Sequence, residues 1–425
     1  MTFEELGVSP RLAAKLAEQN ISDPTPIQVK AIPLALAGRD VMGLAQTGTG
    51  KTAAFGLPLI HNLTKIGKKP AQKTATGLIL APTRELAKQI VDNLRAYARG
   101  SHLKINLVVG GASLGKQIEI MRKGTDLLVA TPGRLIDLID RKAVDLSQTR
   151  YLVLDEADQM LDMGFIHALR RIAPLLGPNR QTMLFSATMA KQMAELAQAY
   201  LTDPERVEVA RPGQTADKIE QCVHFLSQTE KQGKLIELLS AHKRDRALVF
   251  ARTKHGAERL MKQLVRAGLK AASIHGNKTQ GQRQRAIEAF KAGEAMVLVA
   301  TDVAARGIDI KGVEYVYNYD LPNVAENYVH RIGRTARAGA SGQAVSFCAE
   351  DEMGYLRDIV KVVKFDMPIA SGEPFEGNGK IVRKQKGAKT AGAKPAGGGN
   401  GGGAGKPKQR RRRRPQGKRP SRRAA

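Results

Sequence analysis

The sequence predicts an α/β protein with two parallel-sheet domains in tandem and a disordered basic C-terminal tail. Short, continuously apolar runs alternate with helical stretches along the first half, as in parallel sheets that helices cover on both faces. The second half repeats this rhythm after a pause near residues 203–214. Beyond Met367 the composition changes to Gly, Lys, Arg, Ala and Pro, which cannot bury enough apolar surface to fold.

These changes divide the 425-residue chain into four predicted segments. Residues 1–205 form an N-terminal domain, residues 206–217 a linker, residues 218–365 a C-terminal domain and residues 366–425 the tail. The length is sufficient for two domains of ordinary size.

The charge indicates a polyanionic partner, and nucleic acid is the commonest one. The net charge is +28, from 68 basic and 40 acidic residues, and residues 366–425 carry half of it with 17 Lys or Arg against 3 Asp or Glu. Cys222 and Cys348 fit neither a disulfide framework nor a metal site, which is typical of a reducing compartment. Because no apolar run has membrane-spanning length and no signal-peptide pattern opens the chain, we expect a cytoplasmic protein without a membrane partner.

The predicted elements follow in chain order. Residues 1 to about 40 are amphipathic helices that Asp23-Pro24-Thr25-Pro26 interrupts. Strands of the first domain are predicted at 41–44, 77–80, 126–130, 151–154 and 183–185, with helices over 85–98 and 189–200. Strands of the second domain are predicted within 246–253, 271–276, 295–302, 312–320 and 343–347. Polar clusters follow the first-domain strands, and we expect them to converge because the carboxyl ends of parallel strands share the ligand-binding edge of a sheet.

The stretch Ala45-Gln46-Thr47-Gly48-Thr49-Gly50-Lys51-Thr52 predicts a phosphate loop. It follows a strand and precedes a helix, which Pro58 is expected to disturb. Gly48 and Gly50 permit a backbone that brings N–H groups close to phosphates, while Lys51 would contact the β- and γ-phosphates and the Thr52 hydroxyl would bind Mg²⁺. A Gly-Thr turn before a surface helix is the alternative.

Asp155 and Glu156 end a second apolar strand. Asp155 is expected to hold Mg²⁺, directly or through water, and Glu156 to orient or deprotonate the attacking water. A solvated acidic turn is the alternative for this pair.

Asp155-Glu156-Ala157-Asp158 spells the signature of the DEAD-box RNA helicases, and other motifs of that family occur in family order from residue 3 to about residue 347. The matches are Phe3 with residues 24–28 (Q motif), 45–52 (motif I), 82–86 (Ia), 110–111 (GG), 131–134 (Ib), 186–188 (III), 249–253 (IV), 280 with 283 (QxxR), 301–309 (V) and 330–337 (VI). The chain therefore resembles a DEAD-box ATP-dependent RNA helicase of superfamily 2, most closely the bacterial RhlE type, and this resemblance implies two RecA-like domains. It departs from the family at Ile21, usually an aromatic residue, and at Ala336, usually Gly.

The resemblance implies a site for ATP and Mg²⁺. The amide of Gln28 presents one donor and one acceptor, which suits the N6 and N7 atoms of adenine but not guanine, and Phe3 would stack on the base. Further nucleotide contacts are implied for Ala45, Gln46, Thr47, Gly48, Thr49, Gly50, Lys51, Thr52, Gly307 and Asp309, with Thr52 and Asp155 at the metal. Catalytic roles are implied for Glu156, Lys51 and Asp155, and for Arg331 and Arg334 as arginine fingers from the second domain.

The resemblance also implies an RNA site and a coupling path. RNA contacts are expected at Arg84, Gly111, Thr131, Arg134, Gln280, Arg283 and Thr301, whose chemistry suits phosphates and 2′-hydroxyls rather than bases. Ser186, Thr188 and His330 are expected to couple the domains, and a purely structural role is the alternative for His330.

The implied activity is RNA-stimulated ATP hydrolysis that unwinds short RNA duplexes and remodels RNA or RNA–protein complexes, in ribosome assembly or RNA decay. The expected protein is a monomer that binds RNA without sequence preference, with ribosomal precursors or RNA-decay complexes as partners. One alternative is an RNA clamp or annealing protein whose ATPase times its release, and another is a DNA-directed helicase. The tail is expected to tether RNA; a solubilising extension or a protein-recruiting segment are its alternatives.

Overall fold

The computed structural model describes residues 1–45, 48–189, 191–209, 219–308, 310, 312–336 and 341–375, with Lys191 described by its backbone alone. Gln46, Thr47 and Asp309, which the sequence places at the nucleotide, lie outside the described residues, as do residues 210–217 of the predicted linker and residues 376–425 of the predicted tail.

Residues 1–209, the first lobe, form a seven-stranded parallel sheet in the order β3-β4-β2-β5-β6-β1-β7. The strands are β1 (Val41–Leu44), β2 (Ala75–Leu80), β3 (Ile105–Val108), β4 (Thr125–Ala130), β5 (Tyr151–Leu154), β6 (Gln181–Ser186) and β7 (Glu205–Glu208). The helices are α1 (Pro10–Ala17), α2 (Pro26–Leu36), α3 (Lys51–Ile66), α4 (Arg84–Tyr97), α5 (Leu114–Arg122), α6 (Pro132–Asp140), α7 (Ala157–Asp162), α8 (Ile166–Ile172) and α9 (Lys191–Tyr200).

Residues 219–375, the second lobe, form another seven-stranded parallel sheet in the order β10-β11-β9-β12-β13-β8-β14. The strands are β8 (Ile219–Phe225), β9 (Ala247–Phe250), β10 (Ala271–Ile274), β11 (Val297–Ala300), β12 (Tyr315–Asn318), β13 (Gly342–Cys348) and β14 (Ile369–Ser371). The helices are α10 (Lys231–Ala241), α11 (Lys254–Arg266), α12 (Gln280–Ala292), α13 (Asp302–Ala305), α14 (Ala325–Ile332) and α15 (Met353–Val363).

The two sheets have the same strand order, counted from the first strand of each lobe. Strands β4 and β6 are buried along their whole length, as expected for a sheet that helices cover on both faces. The predicted class, two parallel α/β sheets in tandem, is confirmed. Both lobes belong to one compact unit.

Helix α3 differs from the prediction because it continues unbroken through Pro58 to Ile66. Pro58 is buried, and so are its neighbours Leu57 and Leu59. Each buried aliphatic side chain contributes about 1.5–3 kcal/mol, so the packing of this segment exceeds the cost of about 3 kcal/mol for an interior proline.

The other departure concerns strands β3, β7, β8 and β14, which lie outside the predicted strands. Strand β7 has only Val207 buried, among charged residues, so it lacks the continuous apolar run of a central strand. It occupies residues 206–208 of the predicted linker. Strand β14 likewise lies inside the predicted tail, where Met367 is buried and Phe375 packs edge-on against Phe225 with ring centroids 6.4 Å apart. These apolar side chains keep the chain attached to the second lobe beyond residue 366.

Two further expectations concern the thiols and membrane spans. Burial raises the thiol pKa of Cys222 and raises that of Cys348 to about 12, which suits small apolar roles in the second lobe. Across the described ranges, no helix is both long and apolar enough to cross a membrane.

Candidate nucleotide and RNA sites

The predicted phosphate loop joins the end of β1 to the start of α3. Gly48 and Gly50 have φ angles of +88° and +91°, a left-handed conformation that glycine adopts without steric cost. Helix α3 begins at Lys51, which is only 6% exposed and donates a 3.2 Å hydrogen bond from Nζ to the carbonyl of Ala45. Thr49 and Thr52 are half-buried beside it. The loop thus has the glycine conformations and the helix N-terminus that a phosphate site requires.

Asp155 faces this loop from the end of β5. Its Oδ1 lies 4.0 Å from Lys51 Nζ, and the carboxylate is almost completely buried. Burial raises the pKa of Asp155 to about 6; the charge of Lys51 opposes this shift and that of Glu156 adds to it. A buried carboxylate with one cation at 4 Å fits Mg²⁺, which proteins usually bind through one or two carboxylates together with substrate phosphates and water.

Glu156 is the next residue and adopts a left-handed backbone with φ +50°. Its amide donates a 3.0 Å hydrogen bond to Asp155 Oδ1, and its side chain is buried at 2% exposure. A non-glycine residue in this region costs about 1–2 kcal/mol, and such strain is concentrated at functional sites.

The amide of Gln28 uses one donor and one acceptor within the protein itself. Its Oε1 accepts from the Thr25 amide and its Nε2 donates to the Gly50 carbonyl, both at 2.9 Å. The Thr25 hydroxyl donates to the carbonyl of Thr49 at 2.8 Å. The predicted adenine-reading residue therefore holds the phosphate loop in this structure.

Phe3 differs from the predicted stacking residue because it is buried, with 3% exposure. Its side chain belongs to the core of the first lobe, together with Leu6 and Val8. Its ring packs within that core, and too little of it is exposed for a base to stack on it.

Asp158, in the first turn of α7, connects that helix to the segment after β6. Its Oδ2 accepts from the amides of Ala187 and Thr188, at 2.9 and 3.1 Å. Ser186, fully buried, donates from Oγ to the Thr188 carbonyl at 2.7 Å. On the second lobe, burial lowers the pKa of His330 and the charge of Asp158 opposes that shift. Thr188 thus binds the Asp158 carboxylate, Ser186 binds Thr188, and the charge of Asp158 acts on His330.

Arg331 is buried inside the second lobe, which differs from the predicted arginine finger. Its Nε and Nη2 bind the two carboxylate oxygens of Asp302 at 2.5 and 2.7 Å, and its Nη1 donates to Asn318 Oδ1 and to the Asp320 carbonyl. It is 2% exposed. Because four of its five donors have partners, this side chain fixes the lobe internally rather than presenting a cation to the cleft.

Arg334 and Ala336, also in motif VI, do not share the ion pair of Arg331 with Asp302. Arg334 donates to the carbonyls of His330 and Ile308, at 3.2 and 3.0 Å. Ala336, the departure from the family pattern, has φ +53° and so occupies the conformation that the usual glycine adopts freely.

A cavity of about 460 Å³ opens between the lobes beside motif Ia. It is lined by four of the predicted RNA residues, Arg84, Thr131, Arg134 and Arg283, and by Pro82, Thr83, Glu85, Gly110, Gly133, Asp137, Met163, Phe165, Gly276, Lys278 and Val303. Gly111, with φ +77°, lies against the guanidinium of Arg84, which a Cβ at that position would meet at 2.1 Å. The cationic groups from both lobes suit a backbone-binding channel.

Gln280, Arg283 and Gly307 contact residues of the first lobe. Gln280 Nε2 and Arg283 Nε both bind Glu85 Oε1, at 3.2 and 2.8 Å. Gly307 has φ +70°, and a Cβ there would come within 2.1 Å of the Thr83 hydroxyl. Thr301 is half-buried at the start of α13.

Sequence reasoning missed several residues of these sites. Glu85 joins the lobes, and an acid next to Arg84 in the first turn of α4 is a signal that could have identified it. Phe165 and Met163 line the cavity, yet only the turn after α7 brings them there.

The comparisons with known proteins concern both lobes. Residues 25–196 match the family model described as DEAD/DEAH box helicase, and residues 230–339 match the one described as Helicase conserved C-terminal domain. The chain is 43% identical over 389 residues to the DEAD-box ATP-dependent RNA helicase CshA of Streptococcus pneumoniae, covering 91% of this chain and 73% of that protein. It is 44% identical over 362 residues to the ATP-dependent RNA helicase CshA of Listeria monocytogenes, with coverages of 85% and 69%.

Solved structures show the same architecture. S. cerevisiae Dbp5 bound to RNA and ADP BeF3 superposes with a TM-score of 0.76 at 33% identity, over 87% of this chain and 95% of that one. Mss116p bound to ssRNA and AMP-PNP gives a TM-score of 0.78 at 29% identity, over 88% and 80%.

Proposed function

Because this chain belongs to the DEAD-box family of ATP-dependent RNA helicases, we propose that it separates short RNA duplexes through a cycle of lobe closure and ATP hydrolysis. RNA-dependent ATP hydrolysis is the activity of this family. The RhlE type stays a prediction, since the relatives named above are CshA proteins.

The observation that carries the proposal is the buried pair of Lys51 and Asp155 at the phosphate loop of the first lobe. In the same unit, cationic side chains from both lobes line a cavity. In the proposed ATP complex, Lys51 binds the β- and γ-phosphates, while Thr52 and Asp155 hold Mg²⁺, which would neutralise charge on the phosphates. Glu156 orients the attacking water and accepts its proton.

Arg334 is proposed to reach the γ-phosphate from the second lobe. Arg331 is proposed to position Arg334. Its ion pair with Asp302 fixes the end of α14, and Arg334 follows two residues after that helix ends. The two arginines thus have different proposed roles, one at the phosphate and one within the lobe.

RNA is proposed to bind in the cavity between the lobes through its backbone. Arg84 and Arg134 come from the first lobe and Arg283 from the second, so RNA would stabilise the closed form. If ATP and RNA both favour closure, each must raise the affinity for the other by the same factor.

Ribosome assembly and RNA decay are the proposed processes, in the cytoplasm and with a monomeric protein. The second candidate function is an RNA clamp or annealing protein whose ATPase times release. The interlobe bonds of Glu85 favour it, since they would hold the closed form on a bound strand.

The decisive experiment compares ATPase stimulation by RNA and DNA of one sequence, with Lys51→Ala as the control that lacks turnover on either. We expect RNA to stimulate hydrolysis strongly and DNA weakly. Equal stimulation would point to a DNA-directed helicase. Duplex separation that stops after one event per protein molecule would identify the clamp.

A further inference from the structure

The second lobe holds a buried cluster of charges at the position that the phosphate loop occupies in the first lobe. Because the strand orders are identical, β8 corresponds to β1 and α10 corresponds to α3. Helix α3 begins at Lys51, and α10 begins at Lys231. The proposed cycle of hydrolysis uses Lys51 but assigns nothing to Lys231.

A carboxylate faces each of these lysines. Asp155 follows β5, and Asp320 follows the corresponding strand β12. The Nζ–Oδ1 distances are 4.0 Å for Lys51–Asp155 and 3.9 Å for Lys231–Asp320. The amides of both aspartates donate to the last residue of the adjacent strand, Leu80 or Phe250, at 2.9 and 3.2 Å.

The second lobe adds an internal anion. The carboxylate of Glu352 is fully buried and accepts from Lys231 Nζ, from Arg252 Nη2 at 2.5 Å, and from two backbone amides at 3.1 Å. Those amides belong to Leu321 and Ala349. A lysine, an arginine and backbone N–H groups are the donors that proteins use for a phosphate group.

The loop before α10 lacks the features of a phosphate loop. Residues 226–230 read Leu-Ser-Gln-Thr-Glu and contain no glycine, in contrast to the loop before α3. The Ser227 amide and hydroxyl both bind Glu230 Oε2, at 2.8 and 2.6 Å, so these donors are used within the loop.

We infer that the second lobe retains a phosphate-type donor set that its own residue Glu352 fills permanently. Glu352 is then a positioning residue: it fixes the segment at Asp320 and Leu321, and the Asp320 carbonyl accepts a 2.7 Å hydrogen bond from Arg331. The helix that carries His330 and Arg331 is thereby held without any ligand.

Glu352→Ala tests the donor set, with inorganic phosphate as the probe and the full chain as the sample. Loss of one partner of a buried pair should lower the Tm by roughly 5–20 °C. Added phosphate should then raise the Tm of this variant by several degrees more than that of the unaltered protein, with chloride at equal ionic strength as the control. The double variant Lys231→Met, Glu352→Ala should lose this extra response. An equal response in the variant and the unaltered protein would overturn the inference.

Glu352→Gln tests the positioning role, because it keeps the side-chain volume and removes the charge. We expect RNA-stimulated kcat to fall about tenfold while the KM for ATP stays within twofold, and phosphate to give no extra Tm gain. Restoration of kcat by Glu352→Asp would support the role of the charge. A normal kcat in Glu352→Gln would overturn it. If Glu352→Ala does not fold, the double variant Lys231→Met, Glu352→Gln replaces it. Its Tm should be higher than that of Glu352→Gln alone, because the double variant no longer contains a lysine that has lost a charged partner. An equal or lower Tm would contradict the inference that Glu352 is the anion that Lys231 binds.

Discussion

The side-chain amide of Gln28 donates a 2.9 Å hydrogen bond to the carbonyl of Gly50, so the predicted base-reading residue is joined directly to the phosphate loop. Gln28→Ala should lower ATP affinity and reduce the preference for ATP over GTP, because the second N–H and the second lone pair of the amide can still discriminate base edges. The dissociation constants of the variant for ATP and for GTP test this expectation. Thr25→Val is the matched control: it removes the bond to Thr49 and should weaken both nucleotides equally. Full ATP selectivity in Gln28→Ala would place base recognition elsewhere.

Glu156→Gln should nearly abolish ATP hydrolysis while RNA binding in the presence of ATP persists. The loss of a positioned base costs about 10²–10⁴-fold in rate. Steady-state ATPase and RNA binding with ATP measure the two effects, and Glu195→Gln on the exposed face of α9 is the control. An ATPase rate close to normal would remove Glu156 from its assigned role.

Asp155→Asn should stabilise the nucleotide-free protein at neutral pH. Burial raises the pKa of Asp155 from 3.8 to about 6, so the folded state binds this proton more tightly than the unfolded state does. The free energy of unfolding therefore falls as pH rises from about 4 to 6 and stays lower above that range. We expect a gain of about 1–3 kcal/mol for the variant at pH 7.5, and little gain near pH 4.

Urea unfolding at several pH values tests this expectation. Asp203→Asn, at a side chain that is 92% exposed, is the control and should show no such pH dependence. The Asp155 variant should also lose Mg²⁺-dependent ATP binding. A variant less stable than the unaltered protein at pH 7.5 would show that the ionised carboxylate is well compensated.

Ala336→Gly should raise stability by about 0.5–1 kcal/mol, since Ala336 has φ +53° and glycine has no Cβ to strain there. Ala267→Gly is the matched control, because this exposed residue ends α11 with φ −80° and should lose a similar amount. Thermal unfolding should show a higher stability for Ala336→Gly and a lower stability for Ala267→Gly than for the unaltered protein. If both substitutions lower the stability, then alanine at position 336 is not strained by its positive φ angle.

Removal of residues 376–425 should leave the maximal RNA-stimulated ATPase rate unchanged and lower RNA affinity. Truncation after Phe375 preserves β14 and the contact with Phe225. Each phosphate neutralised on a single strand contributes about −0.7 to the slope of log K against log salt, so five bound tail charges would change it by roughly 3–4. RNA affinity at several salt concentrations measures this slope. Parallel lines for the two chains would favour protein recruitment by the tail.

The sheet and its loops were predictable because buried parallel strands are continuous apolar runs. Both Val41–Leu44 and Tyr151–Leu154 have the predicted bounds. Edge strands such as Glu205–Glu208 carry mostly charged residues and have no such signal. Motif spacing predicted the residue types at the site, but not their partners. The burial of Arg331 depends on Asp302 and Asn318, which only the fold brings to it. Phe3 likewise became a core residue through contacts that no local pattern reveals.

The position of β1 in the first sheet has a consequence for synthesis of the chain. Strand β1 pairs with β6 and β7, so Val41 lies beside Met183 and Glu205. At about 5–20 residues per second, a ribosome adds Met183 roughly 7–30 s after Val41. During that interval the nascent chain contains β1 and the phosphate loop, but β6 and β7, the two strands that pair with β1, have not yet been synthesised. Nucleotide binding can therefore begin only when almost the whole first lobe has left the ribosome, whereas β2, β4 and β5 can already pair.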